Sequence, residues 1–404
     1  TPDDNLNPPR GVWELHSWLY RAYSAFGHPD RLQTTMVESG HDYNREQREI
    51  TYAWMMRWLA KDVAPYAEGD PVLEDEEDLW CTPTGDVYAM DNSMTPSDLV
   101  QSYYLQHRVQ LQSPRTQAEL SQRKRELSEL TRESMSLDGN TPVLSVGEKA
   151  LRVGIGWTAR PILLRPETGI LLPAVWMQAD RSSRGPVVLF LSEQGKGALV
   201  EDKQILSPLL ENGYRVLAVD LRGTGETAPG KEGYFWDFLA GRPIFGQRVN
   251  DILSIFAWLG KQGIPRKEIR VWAQGLPGLQ AAIACLQMEP VGGLVLENGL
   301  ISYEDVIMNR LPRFNHEILL PGIASELDFS DVYGALCPMP LTLINPFRSD
   351  KSPASQADAE RAFARTLKTF QNLKAGEFWT VSTGVEGSAR SHMVTQALLS
   401  STPK

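Results

Sequence analysis

The chain has 404 residues, 42% hydrophobic and 22% charged, with a formal net charge of −10. Those values describe a globular protein with ample core. They argue against a nucleic-acid surface, since no basic cluster offsets the acidic balance, and no stretch approaches the roughly 20 apolar residues of a membrane span.

In chain order, residues 1–9 are turn-rich. A helix is predicted over 12–26, with Leu15, Trp18, Leu19, Ala22 and Phe26 on its inner side. Residues 31–37 alternate like a strand and break at Gly40-His41. Glu46 to Leu59 then read as a helix with an apolar stripe of Ile50, Trp54, Met55, Trp58 and Leu59. Residues 61–100 are acidic and irregular, a solvated connector rather than a metal site. Residues 116–134 form an amphipathic helix with Leu120, Leu127 and Leu130 inward.

From about Arg152 the pattern turns to strands. A meander over 159–178 leads into the apolar run Pro186–Leu191, suited to a sheet covered on both faces. Helices at 201–212, 246–262, 278–288 and 356–373 alternate with strands at 214–220, 269–273, 293–297, 340–345 and 377–382. A long excursion occupies 302–335. Such alternation predicts an α/β fold with a doubly wound, mostly parallel sheet.

Cys81, Cys285 and Cys337 lie far apart, and His16, His28, His107 and His316 lack the spacing of metal ligands, so neither metal nor cofactor is expected. Cys285 and Cys337 sit in apolar runs and are expected to be buried thiols.

Several stretches resemble the α/β-hydrolase superfamily, within it the acetyl-xylan-esterase-like branch of tandem multidomain proteins. They are Val216–Gly225, Phe238–Arg248, Leu296–Tyr303, Pro321-Gly-Ile, Ala335–Pro340 and, separately, Leu79–Asp86. The resemblance gives His41, on the loop between a last strand and a last helix, the place of a catalytic base. Together with a first residue that is Thr rather than Met, which points to a chain processed, trimmed or cut from something longer, it implies an exported protein acting on a carbohydrate ester.

The segment 1–60 recurs at 345–404 at a constant offset of 344, with Arg21 on Arg365, Phe26 on Phe370, Val37 on Val381 and Gly40 on Gly384. The chain therefore reads as three parts. Residues 1–65 are the tail of a first hydrolase unit, 66–150 a connector with its helix, and 151–404 a second hydrolase-like domain. In that second domain the nucleophile elbow reads Ala273-Gln-Gly275-Leu-Pro-Gly278, with glycine where Gly-x-Ser-x-Gly places serine. Asp3 and Asp4 of the first tail meet Phe347 and Arg348 at the acid position, and His41 meets Val385 at the base position. Residues 151–404 are thus expected to be catalytically silent, because Ser-His-Asp chemistry needs all three groups.

The first tail keeps His41 and, in Asp3 or Asp4, an acid. Turn chemistry explains those two aspartates equally well. The serine would come from an upstream hydrolase half outside this chain. A second reading makes the whole chain a binding or assembly module on a hydrolase scaffold. Asp42 reads as a solvent-facing or helix-start residue. Ser192 and Ser302 lack the small neighbours of an elbow, Glu297 ends a strand without a helper His, and Arg222–Glu226 reads as an ordinary turn rather than a phosphate cradle.

Overall fold

A computed structural model describes residues 8–137, 144–148, 151–154, 156–180, 184–228, 234–314 and 316–400. They fall into two compact units, divided between Ser93 and Met94.

The first unit contains two α-helices, α1 (Pro9–Ala25) and α2 (Arg45–Met55), the latter continued by a π-helical turn Met56–Ala60. Pro9 opens α1, where its missing N–H costs nothing. Asn44 caps α2 by accepting from the Gln47 amide at 3.0 Å. The strand expected over 31–37 does not form: Pro29–Arg31 make a 3-10 turn, and Leu32–Val37 pair with no strand among the described residues. A strand's backbone groups are satisfied only by a neighbour, and this unit supplies none. The inner side expected for α1 is exposed for the same reason. Leu15 is 58% accessible, Trp18 71% and Phe26 83%, and only Val37 is buried among the described residues of the unit.

In the second unit, α3 (Pro96–His107) starts on a Thr95/Asp98 capping box, and α4 (Gln117–Ser134) on Thr116. Leu120 and Leu127 of α4 are buried and Leu130 packs on the same core, as its periodicity requires. The strands are β1 (Leu144–Glu148), β2 (Leu151–Gly154), β3 (Trp157–Arg165), β4 (Leu172–Ala179), β5 (Val187–Ser192), β6 (Arg215–Val219), β7 (Ile269–Gln274), β8 (Gly293–Glu297), β9 (Leu341–Ile344) and β10 (Trp379–Ser382). The remaining helices are α5 (Lys203–Glu211), α6 (Tyr234–Leu239), α7 (Ile244–Lys261), α8 (Leu276–Leu286), α9 (Tyr303–Met308), α10 (Ile323–Glu326), α11 (Phe329–Ala335), α12 (Gln356–Ala362), α13 (Ala364–Asn372) and α14 (Gly387–Leu399). The single helix expected over 356–373 is two, parted at Phe363 (φ −100°, ψ 15°).

The strands form one sheet in the order β1-β3-β4-β6-β5-β7-β8-β9-β10, with β2 also on β3. From β6 to β10 every pairing is parallel; β4 joins β6 and β3 antiparallel, and β1 joins β3 in the same way. All six residues of β5 and all five of β8 are buried, as a sheet covered on both faces demands. One face packs against α4, α7, α8, α11 and α13, the other against α5 and α14. Phe190 of β5 and Trp272 of β7 meet edge-on at 4.7 Å on the latter side. The loops at the carboxyl ends of the parallel strands carry the candidate site.

Candidate functional site

A cavity of ≈ 760 Å³ opens at the carboxyl ends of β5, β7 and β8, lined by Glu193, Gln194, Asp202, Gln274, Gly275, Asn298, Phe347 and Arg390 among others. Its floor is the turn from β7 into α8. Gly275 caps α8 with φ 77° and ψ −146°, the strained, left-handed conformation that a nucleophile elbow imposes. The backbone of the elbow is kept and the side chain that would use it is missing.

The position of that side chain is filled from another loop. A Cβ built on Gly275 would stand 2.4 Å from the Glu193 carboxyl carbon. Glu193 Oε1 accepts the Leu276 amide at 2.6 Å. That amide, one residue past the nucleophile, is a standard oxyanion donor, and the loop after β5 normally supplies the second. Here the Glu193 amide is spent on the Gln274 carbonyl at 3.3 Å and the Gln194 amide on Ser192 Oγ at 3.2 Å. The oxyanion hole is occupied by the protein's own carboxylate. Solvent reaches Glu193 from the cavity, yet the atoms crowded round it raise its pKa by desolvation, against the Leu276 N–H and the nearby Lys351 charge.

The acid and base positions lie after β9 and β10. Phe347 lines the cavity together with Gly275, and its backbone is fixed by bonds to Gly299 and Ile301. Arg348 and Val385 lie outside the lining; Arg348 pairs with Asp305 at 3.3 Å. Asn345, which follows β9, ties the two loops: its Nδ2 donates to the Val385 carbonyl at 2.7 Å and its Oδ1 accepts the Val385 amide at 2.9 Å. A side-chain amide now bridges the loops on which a carboxylate would orient an imidazole.

Behind the cavity, Arg390 of α14 donates to Asp202 and Glu297 at 2.6 Å each. Glu297 Oε1 also accepts Trp272 Nε1 at 2.5 Å, and Asp202 accepts Gln274 Nε2 at 3.0 Å. Burial disfavours the Arg390 charge, but the two carboxylates outweigh it and hold its pKa above the ordinary value. The turn at 222–226 is organised from within. Buried Asp220 accepts the Lys196 amide at 2.6 Å and the Glu226 amide at 2.9 Å, and pairs with Lys196 Nζ at 2.6 Å. A carboxylate already takes the amides a phosphate would need.

In the first unit His41 is exposed, and Asp42 accepts the Tyr43 amide at 2.6 Å ahead of α2. Asp3 and Asp4 lie outside the described residues. Among the described residues no group of three or more His, Cys, Asp or Glu is placed to hold a metal ion, and no helix is long and apolar enough to cross a membrane. Glu193 and Asn345 were not singled out by the sequence reading. Glu193 follows a strand beside Ser192, but nothing local says that it reaches a turn 82 residues later in the chain (193 to 275).

No family model and no curated protein matches the chain. Solved structures do. A putative acetyl xylan esterase from Bacteroides fragilis superposes with a TM-score of 0.60 at 14% identity, over 72% of this chain and 82% of its own. A methylesterase does so with a TM-score of 0.51 at 13% identity, over 75% of this chain and 68% of its own. These neighbours are α/β-hydrolase esterases, and at such identity the likeness is one of fold.

Proposed function

Starting from an α/β-hydrolase fold whose elbow bears glycine at position 275, we propose that the second unit is a non-catalytic hydrolase domain. The first unit is then the carboxy-terminal part of an active esterase unit. In this reading His41 is the general base of that active unit, Asp3 or Asp4 its acid, and the serine stands on a hydrolase core outside this chain. The substrate class, from a neighbour named as an acetyl xylan esterase, is an ester on a carbohydrate. An exported protein suits such a substrate.

One observation carries the silence of the second unit: the Glu193 carboxylate sits on the Leu276 amide and within 2.4 Å of where a Gly275 side chain would begin. An acyl-enzyme needs a nucleophile oxygen there and an unoccupied donor for the carbonyl oxygen; both are absent. The persistence of the ≈ 760 Å³ cavity favours one second reading, in which that domain binds or assembles instead of cleaving.

The test is hydrolysis of a short-chain aryl ester by the purified chain. No turnover is expected. Robust turnover abolished by a substitution within 151–404 overturns the reading. With a serine-bearing upstream core present, His41→Ala is expected to cut turnover by about 10⁶-fold, the scale of losing the base of a triad.

A further inference from the structure

The first unit leaves uncovered the faces that its repeat counterpart buries. At the offset of 344, Leu19 matches Phe363, Phe26 matches Phe370, Ile50 matches Val394 and Trp54 matches Leu398. Leu19 and Phe26 are 37% and 83% accessible, whereas Phe363 and Phe370 are 1% and 0%. Ile50 and Trp54 are half-buried, whereas Val394 and Leu398 are fully buried. Apolar side chains at matching positions are covered where a sheet receives them and left open where none does.

The second unit also shows how such a tail is received. Phe363 and Phe370 pack on one face of the sheet, Val394 and Leu398 on the other, and β10 runs parallel beside β9 between them. The tail is a clip over a sheet edge. In the first unit α1 stands for α12 and α13, α2 stands for α14, and Thr35–Glu38 stand for Trp379–Ser382 of β10. That last stretch pairs with no strand among the described residues.

We propose that α1, α2 and the segment 35–38 form a docking surface for the open edge of a second α/β-hydrolase sheet, a partner core that ends before its last strand. The segment adds to that edge as a parallel strand, and Leu19 with Phe26 on one side and Ile50 with Trp54 on the other cover its two faces. An exposed apolar surface of this extent is an interaction site, and main-chain pairing supplies the register. This rests on the repeat underlying the proposed function, not on the role given to His41.

Two measurements on the full chain test it. In hydrogen exchange, the α1 and α2 amides are expected to exchange at least about a hundredfold faster than those of α13 and α14, whose helices are anchored on a sheet. Leu19→Asp with Phe26→Asp is expected to remove most of the binding of a hydrophobic dye while the main unfolding transition stays in place. Protection of α1 equal to that of α13, or dye binding untouched by the double variant, overturns the surface. The occupant is tested by replacing residues 345–400 with a copy of 1–56 carrying Leu15→Ala, which matches the small Ala359, and Glu46→Arg, which keeps the guanidinium of Arg390 against Glu297 and Asp202. The expected result is a cooperative melt; a melt no better than that of a scrambled segment overturns the claim that this surface fits a hydrolase edge. Both readouts report folding and exposure, so a wrong base assignment for His41 leaves them unaffected.

Discussion

Arg390 is the residue on which the second unit's charged interior turns. Glu297 beside it has no exposed side-chain surface, so removing the guanidinium leaves a buried carboxylate uncompensated. Arg390→Met is expected to lower stability by about 3–5 kcal/mol, read from denaturant midpoints. Asp328 gives the opposite lesson. Burial pushes its pKa up to about 6, although the Tyr303 and Phe329 amides pull it down. The folded state therefore holds this proton more tightly than the unfolded chain, and stability from this group falls as pH rises from about 4 to about 6. Asp328→Asn should gain on the parent chain across that interval, by at most about 3 kcal/mol. Midpoints compared at pH 4 and pH 7 check the sign; a gap that shrinks as pH rises contradicts it. Burial also raises the thiols of Cys285 and Cys337, to about 12 and about 11, while Cys81 is exposed. A disulfide reagent at pH 8 should titrate one thiol in the native chain and three after unfolding.

At the scale of elements, most of the second unit was legible because its strands are short apolar runs between strongly periodic helices. β8 matches its expected span over Gly293–Glu297, and α4 buries the leucines its spacing selects. What sequence did not reveal is what each element needs from elsewhere. Residues 31–37 carry strand chemistry, yet a strand exists only beside another, so the expected element does not form. Gly275, Phe347 and Val385 were visible in sequence at the positions proposed for elbow, acid and base. The contacts of Glu193 and Asn345 were not, since both reach across loops distant in sequence. Leu127→Ala on α4 should cost about 2–5 kcal/mol and lower the main transition, because that helix packs on α8 and α11 rather than spanning solvent.

At the scale of the whole molecule, the two units differ in what they can do unaided. The second closes its core on itself; the first has one buried residue among those described. Limited proteolysis should cut first within the acidic stretch 61–93, where backbone is exposed, and leave a product beginning near Met94 whose melting matches the main transition of the intact chain. The bend at Gly275 bears on how such proteins are recognised. A template that searches for esterases by backbone shape alone would match this domain, for the curve of the chain is the same whatever side chain stands on it. A side chain introduced at 275 would meet the Glu193 carboxyl first, which has to swing away before the newcomer can use the bend.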